Sequence, residues 1–139
     1  MAAATTPINT PERTGLSAQH DVAASTVIYA GTLVALDASG NAKPASDTAN
    51  LKVIGVAQET VDNSAGSAGD LKVTVKPGIH IVNNAGTNPV TKAHSGKVVF
   101  ASSDNEVAHT TTNSIKAGVL RGFDPTTGNP ILDTTTGTF

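Results

Sequence analysis

Hydrophobic and polar residues alternate most regularly between Leu71 and Lys76, in the run Leu-Lys-Val-Thr-Val-Lys. A period of two residues is typical of a strand with one buried and one solvated face. A Pro-Gly turn follows, and the segment 79–82 (Ile-His-Ile-Val) is predicted as the next strand. In that strand His80 lies on the face opposite the two isoleucines.

Other short segments rich in Val, Ile, Leu and Thr lie between turn residues. The expected strands are one or two within residues 26–36 around Gly31, and further ones at 52–58, 97–101, 106–110, 115–122 and 131–132. A short helical turn is predicted at 91–95, ending at Gly96. No longer helical periodicity is visible, so we predict an all-β fold, a small single-domain β-barrel or β-sandwich.

The first residues have a different composition from the rest of the chain. Residues 1–24 are dominated by Ala, Thr, Pro and Ser, and the two prolines favour extended backbone before them. We predict an extended N-terminal arm over residues 1–24, with one short helical turn within 16–24, and a β-rich domain over 25–139. The Gly/Ser-rich segment 62–70 is expected to be a flexible loop.

The overall composition limits the possible functions. Aromatic residues make up 3% and charged residues 14% of the 139-residue chain, the latter well below the roughly 25% of ordinary domains. Because aromatic residues are so few, we expect a thin hydrophobic core. We also expect that association of the chain with itself or with a partner adds stability. The net charge of −2 and the lack of a basic run disfavour nucleic acid as a partner. The lack of cysteine favours folding in a reducing cytosol.

No residue pattern points to catalysis or a cofactor. The four histidines lack metal-ligand spacing, Ser95 does not lie in a nucleophile elbow, and Gly66-Ser-Ala-Gly69 lacks the Lys-Ser/Thr of a phosphate loop. His80 is interpreted as a surface or subunit-contact histidine. A calcium site in the turn 104–106 is a less favoured alternative to a solvated turn. We predict no enzyme activity, no cofactor and no metal site. The N-terminus is not a signal peptide, and no apolar run spans a bilayer, so no membrane partner is expected.

Several segments together suggest a family. They are the run 27–45 (VIYAGTLVALDASGNAKPA), followed by KVIGVA at 52–57, VTKAHSGKVVF at 90–100, DNEV at 104–107, AGVL at 117–120 and GFD at 122–124. In this succession of strand and turn residues, over roughly residues 25–133, the chain resembles the capsid decoration (cement, head-stabilising) proteins of tailed bacteriophages.

The resemblance implies a compact β-rich domain on the outer surface of an icosahedral head, often as a homotrimer, with an arm that joins the coat lattice. The partners would be the major capsid protein and other copies of this chain. The location would be the outer surface of the virion capsid, after synthesis in the host cytoplasm. By composition, the candidate capsid-binding residues of the arm are Pro7, Ile8, Pro11, Arg13 and Leu16.

Two other classes stay open. One is a different virion component, such as a tail or head-fibre base protein. The other is a β-barrel enzyme or ligand-binding module, which needs a concave pocket with converging polar groups.

Overall fold

The fold, taken from a computed structural model that describes residues 5–7 and 17–135, consists of short strands and one short 3₁₀ helix. The all-β prediction is confirmed. In chain order the strands are β1 (Ala18–Asp21), β2 (Thr26–Ile28), β3 (Leu33–Leu36), β4 (Ala42–Pro44), β5 (Lys52–Ala57), β6 (Val61–Asn63), β7 (Lys72–Lys76), β8 (Ile79–Ile81), β9 (Asn83–Asn84), β10 (Val98–Ala101), β11 (Glu106–Ala108), β12 (Lys116–Phe123) and β13 (Pro130–Asp133). The 3₁₀ helix, Lys92–His94, lies between β9 and β10 and confirms the predicted helical turn.

The strands form three sheets. The five-stranded sheet has the order β1-β7-β5-β3-β4, the six-stranded sheet β8-β13-β12-β10-β11-β9, and the third sheet pairs β2 with β6. The edges of the five-stranded sheet meet at a bridge between Val22 and Ala42. This contact does not make a closed barrel within the described residues, so the sandwich is the better of the two predicted architectures.

Two hydrophobic cores lie on opposite faces of the five-stranded sheet. The larger core joins it to the six-stranded sheet and contains Leu33, Ala35, Ala45, Val53, Val56, Val82, Val90, Val99, Ala101, Val107, Ile115, Ala117, Leu120 and Leu132. The smaller core lies toward the two-stranded sheet and contains Val22, Ile28, Val34, Ala42, Ala57, Val61, Val73 and Val75. Because β3 is covered on both faces, its residues Leu33, Val34 and Ala35 form an uninterrupted apolar run.

A bulge in β5 adapts that strand to both cores. Val34 pairs with Gly55 and Ala35 with Val53, so the register shifts between them. The shift brings Val53 and Val56 into the same core although they are three residues apart. Gly55 has a φ of +149°, and a Cβ there would lie 2.8 Å from the carbonyl carbon of Lys76. Only glycine fits this position.

A second bulge lies in β12, where the register with β13 shifts. Leu120 pairs with Leu132 and Gly122 with Ile131, so Arg121 is an extra residue without a cross-strand partner. Its side chain is thereby free to turn toward Asp133 of the neighbouring strand.

The structure differs from the sequence prediction at the N-terminal side of the domain. The segment 18–21 is strand β1, which pairs with β7, and the next two residues, Val22 and Ala23, are buried. The predicted helical turn within 16–24 is therefore wrong, and folded residues begin inside the segment 1–24 that we predicted as an arm. The sequence analysis also missed β4, β6 and β9, which are short and contain Lys, Pro, Asp and Asn.

Candidate interaction surface

The solvent side of the six-stranded sheet carries a row of apolar side chains. Ile79, Asp133, Val119 and Val98 occupy paired positions on β8, β13, β12 and β10. Directly paired residues point to the same side of a sheet, so these four share one face. Ile81 and Ile131 are also paired and share that side. We call the surface formed by Ile79, Ile81, Val98, Val119 and Ile131 the outer face.

The outer face is unusually exposed for its composition. Ile79 is 65% exposed, Ile81 56% and Val98 37%, whereas Leu132, on the opposite side of the same sheet, is completely buried. Single exposed apolar residues are ordinary on protein surfaces, but neighbouring ones on a flat sheet are typical of an interaction site.

One ion pair lies within this surface, because Asp133 stands in the row between Ile79 and Val119. Arg121 donates to Oδ2 of Asp133 from Nε at 3.0 Å and from Nη2 at 2.7 Å. The backbone N–H of Thr135 donates to Oδ1 of Asp133 at 2.8 Å. The hydrogen bond from the Thr135 side chain, together with Arg121, holds the pKa of the Asp133 carboxyl below its ordinary value, against the opposing effect of burial. The charge on Asp133 is therefore neutralised within the chain.

Thr134 fixes the start of β8 next to the outer face. Its N–H donates to the carbonyl of Gly78 at 2.9 Å, and its hydroxyl accepts from the N–H of Gly78 at 2.8 Å. Thr134 is almost fully buried. This clamp keeps the short strand β8 in a fixed position despite its exposed isoleucines.

His80 lies on the inner side of β8, opposite the isoleucines as predicted, and is paired with Leu132. We expected a surface or subunit-contact histidine, but its ring is partly buried, and its Nε2 has no hydrogen-bond partner among the described residues. Burial is the main cause that lowers the pKa of His80 below its ordinary value. Burial therefore favours the neutral form of the ring.

The backbone of β8 has one open edge. On the β13 side, the carbonyl of Gly78 accepts from Thr134 and the N–H of Val82 donates to Pro130. Backbone groups alternate in direction along a strand, so Gly78, His80 and Val82 face β13, while Ile79 and Ile81 face away from it. β8 ends the sheet, so the N–H and C=O groups of Ile79 and Ile81 have no strand partner in the described part of the chain.

The other three edges of the two large sheets in the described ranges are protected. β4 carries Lys43 and Pro44, and its Ala42 is bridged by Val22. β1 is polar and carries Asp21, which forms an ion pair with Lys72. β9 has two residues, and the side chain of Asn84 is hydrogen-bonded to the backbone of Val90. Charge, proline and short length are the usual protections of sheet edges; β8 is as short as β4 but has neither a charged residue nor a proline in its own sequence.

A polar cleft of about 330 Å³ lies elsewhere on the surface and is lined by Asp47, Thr87, Asn88, Ser102, Ala108, Thr110, Thr111 and Thr112. Asp47 accepts hydrogen bonds from the backbone N–H groups of Thr112, at 3.1 Å, and Asn113, at 2.8 Å. The bond from Asn113 is the main cause that lowers the pKa of Asp47. Asp47 thus holds the loop around residues 112–113 in place, and its carboxylate oxygens already accept hydrogen bonds from backbone N–H groups.

Most of the arm residues predicted from the sequence lie outside the described residues. Pro7 is described and exposed. Ile8, Pro11, Arg13 and Leu16 are not described, so their predicted role in capsid binding stays a prediction. The outer face was not identified from the sequence, because alternation in Ile-His-Ile does not tell which side is buried.

Two other predicted candidates have local roles. In the acidic turn, the Ser103 hydroxyl donates to Oδ1 of Asn105 at 2.9 Å and to Oε1 of Glu106 at 3.3 Å, so these oxygens are used within the turn. In the Gly/Ser-rich loop, the buried Asn63 donates to the carbonyls of Ala23, at 3.1 Å, and Ser67, at 3.0 Å. Asn63 is an anchor of that loop that the sequence analysis missed.

Two kinds of feature are missing from residues 5–7 and 17–135. No group of three or more His, Cys, Asp or Glu residues is arranged to hold a metal ion there. Nor does that part of the chain contain a helix long and apolar enough to cross a membrane.

His94 and His109 stack with ring centroids 4.7 Å apart.

Comparison with known proteins gives no relative: no family model, no curated protein and no solved structure matches this chain. The sheet topology and the outer face are therefore the basis for the functional proposal, together with the sequence resemblance.

Proposed function

We propose that this chain is a virion structural protein, a cement or decoration protein that binds the outer surface of an icosahedral capsid and stabilises the coat lattice. The observation that carries the proposal is the outer face, where Ile79, Ile81 and Val98 are exposed on the same side of one sheet. The resemblance to tailed-phage decoration proteins gives the kind of partner, which is the major capsid protein.

The chemistry of the outer face suits an extended protein surface. Its apolar side chains lose water on contact, which favours association in proportion to the area covered. The nearest charges, Arg121 and Asp133, already neutralise each other, so docking does not require an isolated charge to be buried. The strand backbone beneath is fixed by neighbouring strands, so little conformational entropy is lost on binding.

The arm adds a second contact in this proposal. Residues 1–16 precede β1, and Pro7, Ile8, Pro11, Arg13 and Leu16 are the candidates for contact with a coat subunit. Two modest contacts on one chain gain from effective concentration, and a homotrimer gains further. Binding to the mature lattice alone stabilises that lattice by mass action. No cofactor takes part, and the protein acts on the virion surface after synthesis in the host cytoplasm.

The proposal is tested by co-sedimentation of the purified chain with heads of the parent virus that lack it. We expect saturable binding at a fixed ratio to coat subunits. Ile79→Lys should weaken binding strongly, whereas Tyr29→Lys, at a residue 59% exposed and away from the outer face, is the matched control and should bind normally. Binding to tails instead of heads would replace this proposal with a tail or fibre component.

The arm is tested by deleting residues 1–16, which leaves β1 intact. The shortened chain should keep the far-ultraviolet spectrum of the full chain and bind heads less tightly. Unchanged binding would remove the arm from the mechanism without affecting the outer face.

A further inference from the structure

We propose that His80 is a proton-sensitive pin that holds β8 on its sheet, and that β8 opens as a separate unit when mild acid protonates the ring. The proposal concerns the free chain and does not depend on the capsid role. It rests on the attachment of β8, the enclosure of the His80 ring, and the charges around that ring.

The attachment of β8 is slight. The strand contains three residues and pairs only with β13 in the described part of the chain. Ile79 and Ile81 are exposed, so His80 is the one side chain of β8 on the inner side of the sheet. A short edge strand with few buried contacts opens at a smaller free-energy cost than the whole domain. The packing of β8 therefore depends mainly on the state of one imidazole.

The His80 ring is tightly enclosed. Its Nε2 is shielded from solvent and has no hydrogen-bond partner among the described residues. The ring packs against the backbone of Gly78, where an added Cβ would lie 3.3 Å from Nε2 and 3.4 Å from Cε1 of His80. A protonated imidazole carries an N–H group on both nitrogens. In the closed strand, Nε2 would then be a charged donor without an acceptor, which is costly in an enclosed site.

The charged groups around the ring come from two neighbouring strands and act in opposite directions. Burial is the main cause that lowers the pKa of His80, and the charge of Lys76 on β7 lowers it further. The backbone of Lys76 and the charge of Asp133 on β13 raise the pKa, which nevertheless stays below its ordinary value of 6.5. Asp133 already forms an ion pair with Arg121, so its charge is not left to neutralise a protonated His80.

The direction of the pH effect follows from this enclosure. In the open strand His80 is in water and has its ordinary pKa of 6.5, whereas the closed strand lowers that pKa. The closed strand is therefore fully favoured above about pH 6.5 and loses stability as the pH falls toward the lowered pKa. At about pH 5.5 the open form has gained a factor of up to about ten. A partner that needs the outer face in place, as in the proposed capsid role, opposes proton uptake at His80.

Native-state hydrogen exchange of the natural chain tests whether β8 opens separately. The N–H of Val82 donates to the carbonyl of Pro130. The N–H of Thr134 donates to the carbonyl of Gly78, so both amides report the contact between β8 and β13. The amide of Leu120, a completely buried residue of β12, reports opening of the whole domain.

At about pH 7.5, we expect Val82 and Thr134 to be at least about tenfold less protected than Leu120. Their exchange should also respond much less to low concentrations of urea, because a local opening exposes little surface. Exchange of Val82 and Thr134 with the protection and the urea dependence of Leu120 would overturn the proposal, since β8 would then open only with the whole domain.

A change of pH tests the role of His80. From about pH 7.5 to about pH 5.5, after correction for the intrinsic pH dependence of exchange, protection of Val82 and Thr134 should fall about five- to tenfold. His80→Gln has no titratable group at this position and should remove the fall. His20→Gln, on the edge strand β1 of the other large sheet, is the matched control and should keep it.

Two results of the pH experiment would contradict the assignment. One is unchanged protection of both amides in the natural chain between the two pH values, which needs no variant. The other is an equal fall in the natural chain and in His80→Gln, which would place the proton uptake at another residue.

Discussion

The edge strands β4 and β8 end the two large sheets in opposite ways. β4 has an exposed lysine and a proline, and its outer side is bridged at Ala42 by Val22. β8 has two exposed isoleucines and four backbone groups that lack a strand partner within the described residues. Within the described residues, β4 is therefore bridged on its outer side, whereas β8 has a strand partner on one side only.

The comparison shows that β8 is well packed against its neighbours although one of its edges has no strand partner. His80 is paired with the fully buried Leu132 of β13, and Thr134 clamps the start of the strand. An unprotected apolar edge favours aggregation unless a partner covers it.

The largest expected effect is on the support of β8. Leu132→Ala removes a fully buried side chain from the larger core and should lower the free energy of unfolding by about 2 to 5 kcal/mol. Urea unfolding measures this change. The matched control is Ile79→Ala on β8 itself, which should cost less than about 0.5 kcal/mol because the side chain is exposed. Equal losses would mean that Ile79 is not a surface residue.

The next effect compares two ion pairs, one between the interior strands β12 and β13 and one at the edge strand β1. Asp133→Asn weakens the hydrogen bonds from Arg121 and Thr135 to a buried carboxyl, and should lower the free energy of unfolding by about 1 to 3 kcal/mol. Asp21 of β1 forms an exposed ion pair with Lys72 of β7. Asp21→Asn should change the free energy of unfolding by less than about 0.5 kcal/mol. Similar values from urea unfolding would contradict the difference in burial between the two pairs.

Exchanging the protection of the two edges should change binding with little change in stability. Ile81→Lys gives β8 a lysine like that of β4, and should weaken head binding while the free energy of unfolding stays within about 0.5 kcal/mol. Lys43→Ile should create no new association, because Val22 and Ala23 already contact Ala42. Co-sedimentation and sedimentation velocity measure both results. Oligomers of Lys43→Ile would show that the lysine alone protects β4.

The smallest effect concerns pH. The pKa of His80 in the folded chain lies below its ordinary value of 6.5, chiefly because of burial. The unfolded chain therefore takes up a proton first, so stability is complete above about pH 6.5 and falls as the pH drops toward the folded pKa. The neighbouring charges act in opposite directions, with Lys76 lowering and Asp133 raising the pKa.

Urea unfolding at about pH 7.5 and about pH 5.5 should show this loss, and His80→Gln should reduce it. The carboxyls of Asp47, Asp62, Asp124 and Asp133 have pKa values below 3.8 and stay ionised over this range. An identical pH dependence in His80→Gln would contradict the assignment to His80.

The sequence predicted the elements whose pattern matches their burial. Alternation at 71–76 correctly predicted β7, with Val73 and Val75 buried, although Leu71 is 43% exposed. The missed strands β1 and β4 contain residues of low strand propensity, and pairing with β7 and β3 determines them. Such pairing is tertiary, and local sequence does not contain it.

The outer face was hidden from the sequence for a related reason. The pattern Ile-His-Ile separates His80 from the isoleucines, and hydrophobicity alone would turn the isoleucines inward. Pairing of β8 with β13 instead places His80 beside Leu132 on the buried side. The register of one neighbouring strand therefore decides which side chains face a partner.

Amide hydrogen exchange, measured for the free chain at low concentration and for the chain bound to heads, tests most directly that the β8 region is the binding surface. The amides of Ile79 and Ile81 should exchange rapidly in the free chain, while that of Val82, which donates to Pro130, should be protected. On heads, exchange of Ile79 and Ile81 should slow markedly, with Val82 unchanged. Protection of Ile79 and Ile81 in the free chain, or rapid exchange of both on heads, would contradict the account.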